Sequence, residues 1–148
     1  MPMIHDVSTD PDDAPRFVAL RETRLACKNG VLYSGLRGTG HRQRYPDIVP
    51  AIFAQPPPTI FPAALAVANA KEWAIAASVE PEGRIEATAT TRILRFKDDV
   101  VIRIRAEGSG TRMDIRSASR LGSSDLGANA KRIRSFLHEI NNLLKTYT

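Results

Sequence analysis

Apolar residues near the C-terminus recur at alternating spacings of four and three, which places them along one side of an α-helix. Charged and polar residues fill most of the positions between them. The pattern predicts a long C-terminal helix that packs one side on a sheet, with Ser124 or Asp125 as its N-cap and Gly127 in its first turn. The expected apolar positions are Leu126, Ala130, Ile133, Leu137, Ile140 and Leu144.

Four upstream segments alternate between apolar and polar residues, the period of a half-buried β-strand. The turns between them are short, so neighbouring strands must be antiparallel. An alanine-rich helix is predicted before them at residues 60–71, with Thr59 as its cap and Pro62 in its first turn. The predicted strands are residues 73–79, 84–93, 99–105 and 111–118.

These elements predict an α+β fold, a four-stranded antiparallel meander sheet with the alanine-rich helix before it and the long C-terminal helix packed on one face. The order is similar to the helix-grip arrangement, in which a terminal helix covers a curved sheet. The apolar sheet face is expected to contain Ile85, Ala87, Ala89, Ile93, Val100, Ile102, Ile104, Met113 and Ile115.

The other sheet face is charged, and two interpretations of it are open. Its side chains form cross-strand pairs on a solvated surface, each worth about 0–1 kcal/mol, or they dock to an anionic membrane or partner. The residues expected on this face are Arg84, Glu86, Arg92, Arg103, Arg105, Arg112, Asp114 and Arg116.

Charge is distributed unevenly along the 148 residues, whose net charge is +5. Residues 1–15 contain four aspartates and no lysine or arginine, so the remainder carries +9. We expect residues 1–15 to form an extended acidic arm that pairs with arginines of a single α+β domain at residues 16–148.

Several classes of site are not expected. One cysteine, Cys27, cannot form an internal disulfide, and His5 with the aspartates of the arm lacks the glycine turn and bidentate glutamate of a calcium loop, so no metal is expected. Residues 35–40 do not match a nucleotide-binding fingerprint, and no cofactor is predicted. Aromatic residues make up only 6% of the chain and none alternates with the sheet arginines, which argues against a nucleic-acid platform.

The candidate site is residues 114–129, where two arginines and several small hydroxyl residues precede the last helix. The free N–H groups at the helix start would point toward Arg116 and Arg120, an arrangement that suits a phosphate, a carboxylate or a lipid headgroup. In the alternative interpretation Ser123, Ser124 and Asp125 only cap the helix, while Arg120 pairs with Asp125 or Asp99. The expected ligand-binding residues are Arg116, Ser119, Arg120, Ser123, Ser124, Asp125, Gly127 and Asn129.

Catalytic residues are not predicted, although Asp99 and Asp125 are weak candidates for a general base. Asp98 and Asp99 are adjacent, so on a strand they would point to opposite faces, and Asp98 is interpreted as a turn residue. His41 and His138 have no readable nucleophile and oriented carboxylate beside them.

Residues 4–10, residues 96–103 and the segment 116–129 with Arg132 and Ile133 resemble the domain-of-unknown-function 1499 family. The resemblance covers nearly the whole chain, and its last motif is specific. It implies no activity. It does imply a soluble domain tethered by an N-terminal membrane segment or lipid anchor, mainly in bacteria and chloroplasts. These 148 residues contain no such segment, so the chain is expected to be soluble as it stands, with an upstream tether missing from it.

The leading hypothesis is a non-catalytic module that binds an anion or lipid headgroup at a membrane surface, through the charged sheet face and the cleft around Arg116 and Arg120. One alternative is a small hydrolase or lyase acting on an anionic small molecule. Another is a structural partner of a membrane protein, which predicts an exposed apolar patch at residues 48–53 of the proline-rich segment 45–58. The oligomeric state is not predicted.

Overall fold

The computed structural model describes residues 3–146. Within that range the strands are β1 (Asp6–Ser8), β2 (Ala51–Phe53), β3 (Ala74–Val79), β4 (Arg84–Thr90), β5 (Lys97–Glu107) and β6 (Gly110–Ser119). The helices are α1 (Arg21–Leu25), α2 (Gly38–Arg44), α3 (Pro57–Ala70) and α4 (Ala128–Lys145), with a 3₁₀ turn at Glu80–Glu82.

One antiparallel sheet contains the six strands of the described chain, in the order β1-β6-β5-β4-β3, and β2 also pairs with β6. The predicted meander is confirmed as β3 to β6, and so is the α+β class. The sheet is larger than the predicted four strands, because β1 and β2 share the outer edge of β6. Each has three residues, too short for alternation to identify it.

Helices α3 and α4 pack on the apolar face of the sheet. The predicted sheet residues Ile85, Ile102 and Ile115 are fully buried and pack with Ile133 of α4. Phe136 was not among the positions predicted for the apolar side, yet it is 0% exposed and stacks on the Trp73 ring at 5.6 Å between centroids.

Two predicted core residues lie outside the core. Ile93 is 88% exposed because β4 ends at Thr90, three residues earlier than predicted. Leu126 is 92% exposed because α4 begins at Ala128 rather than before Gly127, whose left-handed conformation (φ 85°) favours glycine. Both apolar side chains therefore lie on the surface and not in the interior.

The start of α3 also differs from the prediction. The helix begins at Pro57, three residues before Ile60, and Pro56 is its N-cap instead of Thr59. A proline at the first helical position has a φ angle suited to a helix and gives up an N–H that would have no partner there. Pro62 consequently lies inside the helix and not in its first turn.

The charged face of the sheet is covered by the N-terminal segment. Glu86 is 0% exposed, and its carboxylate accepts hydrogen bonds from the backbone N–H groups of Val18, Ala19 and Leu20. Much of this face is therefore a buried layer of polar pairs, and the open basic face of the leading hypothesis is corrected. A small apolar cluster of Phe17, Leu20, Val101 and Ala118 lies in the same layer.

The acidic N-terminal segment pairs with arginines of the sheet. Asp10 Oδ2 lies 3.2 Å from Arg103 Nη2 and 2.9 Å from Arg112 Nη2. The Thr9 hydroxyl donates to Asp114 Oδ1 at 2.7 Å. Because β1 pairs with β6, residues Asp6–Ser8 of this segment belong to the sheet.

Candidate functional site

Arg116, the first arginine of the predicted anion site, is enclosed within the protein. Its side chain is 2% exposed, and its Nε and Nη2 donate to the two Asp6 carboxylate oxygens at 3.0 and 2.9 Å. It also donates hydrogen bonds to the carbonyl oxygens of Pro15 and Val31. The expected ligand-binding role of Arg116 is therefore corrected, because a buried counter-charge already occupies its donors.

Arg120, the second arginine, binds Asp99 through two parallel hydrogen bonds. Arg120 Nε and Nη2 each lie 3.0 Å from an oxygen of Asp99, which is 0% exposed. The hydrogen bonds to Asp99 raise the pKa of Arg120. This is the pairing that the alternative interpretation of the sequence proposed, so the side chain is not a free anion ligand.

Asp99 also accepts from Arg24 Nη1 at 2.9 Å and from the Thr88 hydroxyl at 2.8 Å. Both of its carboxylate oxygens are engaged inside the protein, an arrangement that suits structure better than base catalysis. Asp98, its neighbour, points to the other face of the sheet, where Arg132 Nη1 lies 2.8 Å from Asp98 Oδ2. The opposite orientation of the two carboxylates follows the prediction. The turn assignment of Asp98 is wrong, because β5 begins at Lys97.

The start of α4 is occupied by Asp125. Its Oδ1 accepts from the Gly127 N–H at 2.7 Å, and its Oδ2 accepts from the Asn129 N–H at 3.1 Å and from Asn129 Nδ2 at 2.8 Å. Asp125 thus satisfies helix N–H groups as predicted, although Gly127 holds the N-cap position. A carboxylate of the chain itself takes the place that an external anion was expected to fill.

Asn129 ties this helix start to the sheet. It is 0% exposed, its Nδ2 donates to Ser119 Oγ at 2.9 Å, and its Oδ1 accepts from Ser117 Oγ at 2.6 Å. The Arg132 Nη1 group donates to the same Asn129 oxygen at 3.0 Å. Ser119 and Asn129, both predicted to contact a ligand, are consequently parts of an internal polar network.

Ser123 and Ser124, the last two predicted site residues, are exposed in the loop before α4. Ser124 Oγ accepts a long hydrogen bond of 3.4 Å from the Leu126 N–H. The structure therefore brings together Ser119, Asp125, Gly127 and Asn129, and it directs Arg116 and Arg120 to separate buried carboxylates.

Two loops at this end of the sheet enclose a cleft of about 450 Å³ that we name the apolar tip cleft. The first loop, residues 91–96, joins β4 to β5, and the second, residues 121–127, joins β6 to α4. Five large apolar side chains in these loops are more than half exposed, namely Ile93, Leu94, Phe96, Leu121 and Leu126.

Exposed cations lie on one side of the apolar tip cleft, where Arg92 lines it. Residues 91–97 contain Arg92, Arg95 and Lys97, all exposed, and no acidic residue. Two carboxylates also line the cleft and have internal partners: Asp98 pairs with Arg132, and Asp125 accepts hydrogen bonds from N–H groups at the start of α4. The surface thus combines an apolar centre with a positive rim on the side of residues 91–97.

The sequence contains a signal for this cleft. The run Ile93-Leu94-Arg95-Phe96 does not alternate, so it does not continue the strand pattern of residues 84–90. Apolar residues that follow the end of a strand, in a turn, have no sheet face to cover. The assignment of Ile93 to a longer strand concealed this signal.

Two further observations concern membrane spans and metal ligands in the described chain. No helix within residues 3–146 is both long and apolar enough to cross a bilayer. The same residues contain no group of three His, Cys, Asp or Glu side chains arranged to hold a metal ion.

The family model described as "Protein of unknown function (DUF1499)" matches residues 6–140, which is most of the chain. None of the curated proteins compared with the chain matches it. The matched range includes β1, the buried ion pairs and both loops of the apolar tip cleft.

Proposed function

The chain belongs to the DUF1499 family of proteins of unknown function, and from that premise we propose that this domain is a non-catalytic module that binds the surface of an anionic membrane. The contact surface is the apolar tip cleft with its basic rim. The observation that carries the proposal is the concentration of exposed Ile93, Leu94, Phe96, Leu121 and Leu126 in two adjoining loops.

The apolar centre supports insertion into the interfacial region of a bilayer. Complete removal of one such side chain from water contributes about 1.5–3 kcal/mol, so three inserted side chains contribute about 4.5–9 kcal/mol before ordering costs. A contiguous apolar patch rimmed by polar residues is typical of an interaction surface.

The rim determines which membranes are favoured. A lysine or arginine near an anionic bilayer contributes about 1 kcal/mol. Arg92 and Arg95 lie in the same loop as three of the apolar side chains, and Lys97 follows that loop at the start of β5. This electrostatic attraction decreases as salt concentration rises, because mobile ions screen the exposed charges.

Internal hydrogen bonds hold both loops in place, which reduces the ordering cost of binding. In the first loop, the Thr91 N–H donates to the Phe96 carbonyl oxygen at 2.8 Å, and the Phe96 N–H donates to Thr91 Oγ1 at 2.8 Å. In the second, Asn29 Nδ2 donates to the Gly122 carbonyl oxygen at 3.0 Å and the Asp125 N–H donates to the Ile4 carbonyl oxygen at 2.8 Å.

The other hypotheses receive less support. A hydrolase or lyase would need an accessible base, and both oxygens of Asp99 are engaged by internal donors. A partner surface at residues 48–53 would need a contiguous apolar patch, but Ile48 and Phe53 are buried and only Val49 and Ile52 among its large apolar residues are more than half exposed.

Vesicle flotation tests the proposal, with the chain mixed with phosphatidylcholine vesicles or with vesicles that also contain phosphatidylglycerol. We expect flotation with the anionic vesicles and its loss in the double variant Ile93→Ser/Leu126→Ser. The matched control Val49→Ser/Ile52→Ser removes two exposed apolar side chains elsewhere and should float like the unsubstituted chain.

A second pair of variants tests the rim. Arg92→Glu/Arg95→Glu should abolish flotation with anionic vesicles, whereas Arg42→Glu/Arg105→Glu, the same charge change at other exposed positions, should reduce it far less. Equal binding to neutral and anionic vesicles, binding to neither, or equal losses in the tip and control variants would remove the proposal.

A further inference from the structure

A second cleft, of about 560 Å³, lies between the N-terminal segment and residues 31–37. It is separate from the apolar tip cleft, since no lining residue is common to the two. We name it the arginine cleft, because Arg16, Arg21, Arg37 and Arg116 line it.

Three of these arginines are available to a ligand. Arg16, Arg21 and Arg37 are exposed, and within the described residues none of them forms an ion pair with a carboxylate. Arg37 is held in position, because its Nη2 donates to the Tyr33 carbonyl oxygen at 2.9 Å and its guanidinium lies 5.1 Å from the Tyr33 ring centre. Guanidinium groups bind phosphate and carboxylate groups with directed hydrogen bonds.

The walls of the arginine cleft are partly apolar. Leu32 is 86% exposed and Val18 is 56% exposed, and both line the cleft beside Tyr33 and the buried Phe17 ring. Arg116 stiffens this wall, since its guanidinium lies 4.6 Å from the Phe17 ring centre and 5.6 Å from that of Tyr33. The cleft therefore offers apolar contact next to positive charge.

Asp12 and Asp13 also line the cleft and limit the charge that it can accept. Asp13 Oδ2 lies 3.8 Å from Arg103 Nη1, so its charge is only partly compensated. Two carboxylates beside three available arginines favour a small ligand with one anionic group over a polyanion.

We infer that the arginine cleft binds a small organic anion, with an aromatic or apolar body on the Leu32 and Tyr33 wall and a phosphate or carboxylate group at Arg21 and Arg37. This site is independent of the membrane surface proposed above, because it uses none of the residues in the two tip loops. Its volume is in the usual range for small-molecule sites.

Isothermal titration calorimetry with phenyl phosphate, in the absence of vesicles, tests the inference. We expect phenyl phosphate to bind more tightly than inorganic phosphate or benzyl alcohol, since each of these lacks one half of the recognised structure. Arg21→Ala and Arg37→Ala should each weaken phenyl phosphate binding about tenfold. Arg105 is exposed and forms no ion pair within residues 3–146, so it gives the matched control Arg105→Ala, which should leave the affinity unchanged.

Further readouts separate the site from a general attraction of anions. Leu32→Ser should weaken phenyl phosphate binding and leave inorganic phosphate binding unchanged, and Asp12→Asn should strengthen the binding of both. Amide resonances of residues 31–37 should shift when phenyl phosphate is added. Absence of binding, equal affinity for inorganic phosphate, equal losses in the Arg105→Ala control or shifts confined to other residues would overturn the inference.

Discussion

Replacing Asp99 with alanine should destabilise the fold strongly, because this carboxylate neutralises a buried arginine. Asp99 is 0% exposed and Arg24, whose Nη1 lies 2.9 Å away, is 1% exposed. In Asp99→Ala the Arg24 guanidinium keeps its hydrogen bonds to the carbonyl oxygens of Gly30, Ala118 and Ser119 but loses its counter-charge. Leaving one member of a buried pair without its partner costs about 3–5 kcal/mol.

That cost is large beside the total stability of a domain, about 5–15 kcal/mol. For a chain of this length it corresponds to a decrease in Tm of about 6–20 °C, taking about 2–4 °C per kcal/mol. Arg120 adds less to the cost, because its side chain is 22% exposed and can turn toward water when Asp99 is removed.

Urea unfolding followed by far-ultraviolet circular dichroism measures the effect. The matched control is Asp13→Ala, since Asp13 is 64% exposed and lies 3.8 Å from Arg103, and its pair should contribute about 0–1 kcal/mol. Adding Arg24→Met to Asp99→Ala should recover part of the loss, because it removes the uncompensated charge. The reasoning is refuted if Asp99→Ala costs no more than Asp13→Ala, or if the effects of Arg24→Met and Asp99→Ala simply add.

The remaining predictions concern the core and alkaline pH. Phe136→Ala should lower the free energy of unfolding by about 3–5 kcal/mol and shift Trp73 fluorescence toward longer wavelength, because Phe136 is fully buried against that ring. His138→Ala, on the exposed side of α4, should change that free energy by less than about 0.5 kcal/mol. Similar losses of stability in the two variants would contradict this prediction. Burial, and then the neighbouring Asp6 charge, raise the pKa of Tyr33 above its ordinary value. The contribution of neutral Tyr33 to stability should therefore be complete below about pH 10. It should decrease as the pH rises further, because the Tyr33 hydroxyl then ionises more readily in the unfolded chain than in the folded one. Absorbance titration of tyrosinate should lose its latest-ionising step in Tyr33→Phe, and an unchanged titration curve would exclude the prediction.

Two different surfaces carry the proposals, and each includes only part of the site expected from the sequence: Ser119, Ser124 and Asp125 line the apolar tip cleft, and Arg116 lines the arginine cleft. That site relied on Arg116 and Arg120 facing the start of α4. Their guanidinium groups instead bind Asp6 and Asp99, which lie 110 and 21 positions away in the chain. Sequence reasoning named Asp99 as a possible partner of Arg120 in its alternative interpretation, but it did not identify Asp6 as the partner of Arg116.

Local patterns were sufficient for the central sheet and the last helix. Alternation over seven or more residues identified β4, β5 and β6, because successive side chains on a strand point to opposite faces and only one of those faces packs on α3 and α4. The same periodic logic placed Ala130, Ile133 and Ile140 in the core.

The ends of helices and strands were predicted less well, and the residues just outside the true ends form the proposed membrane surface. The pattern of apolar residues does not indicate that Gly127 adopts a left-handed conformation or that β4 ends at Thr90. For this reason it predicts Leu126 and Ile93 in the interior, although both are exposed. An apolar residue has the same identity on either side of such a boundary, and only the backbone decides whether it packs or faces water.

The charged face of the sheet is buried through contacts between distant parts of the chain. A strand of alternating arginines and carboxylates is compatible with solvent, a membrane or another segment of the same protein, since all of these can satisfy charge. Here the N-terminal segment provides the partners, with Asp6 beneath Arg116 and Asp10 beside Arg103. Periodicity along the chain specifies which face of the sheet a side chain lies on. It does not specify which residue packs against that side chain. That partner is decided only in the folded chain, because a buried charge is stable only beside an opposite charge.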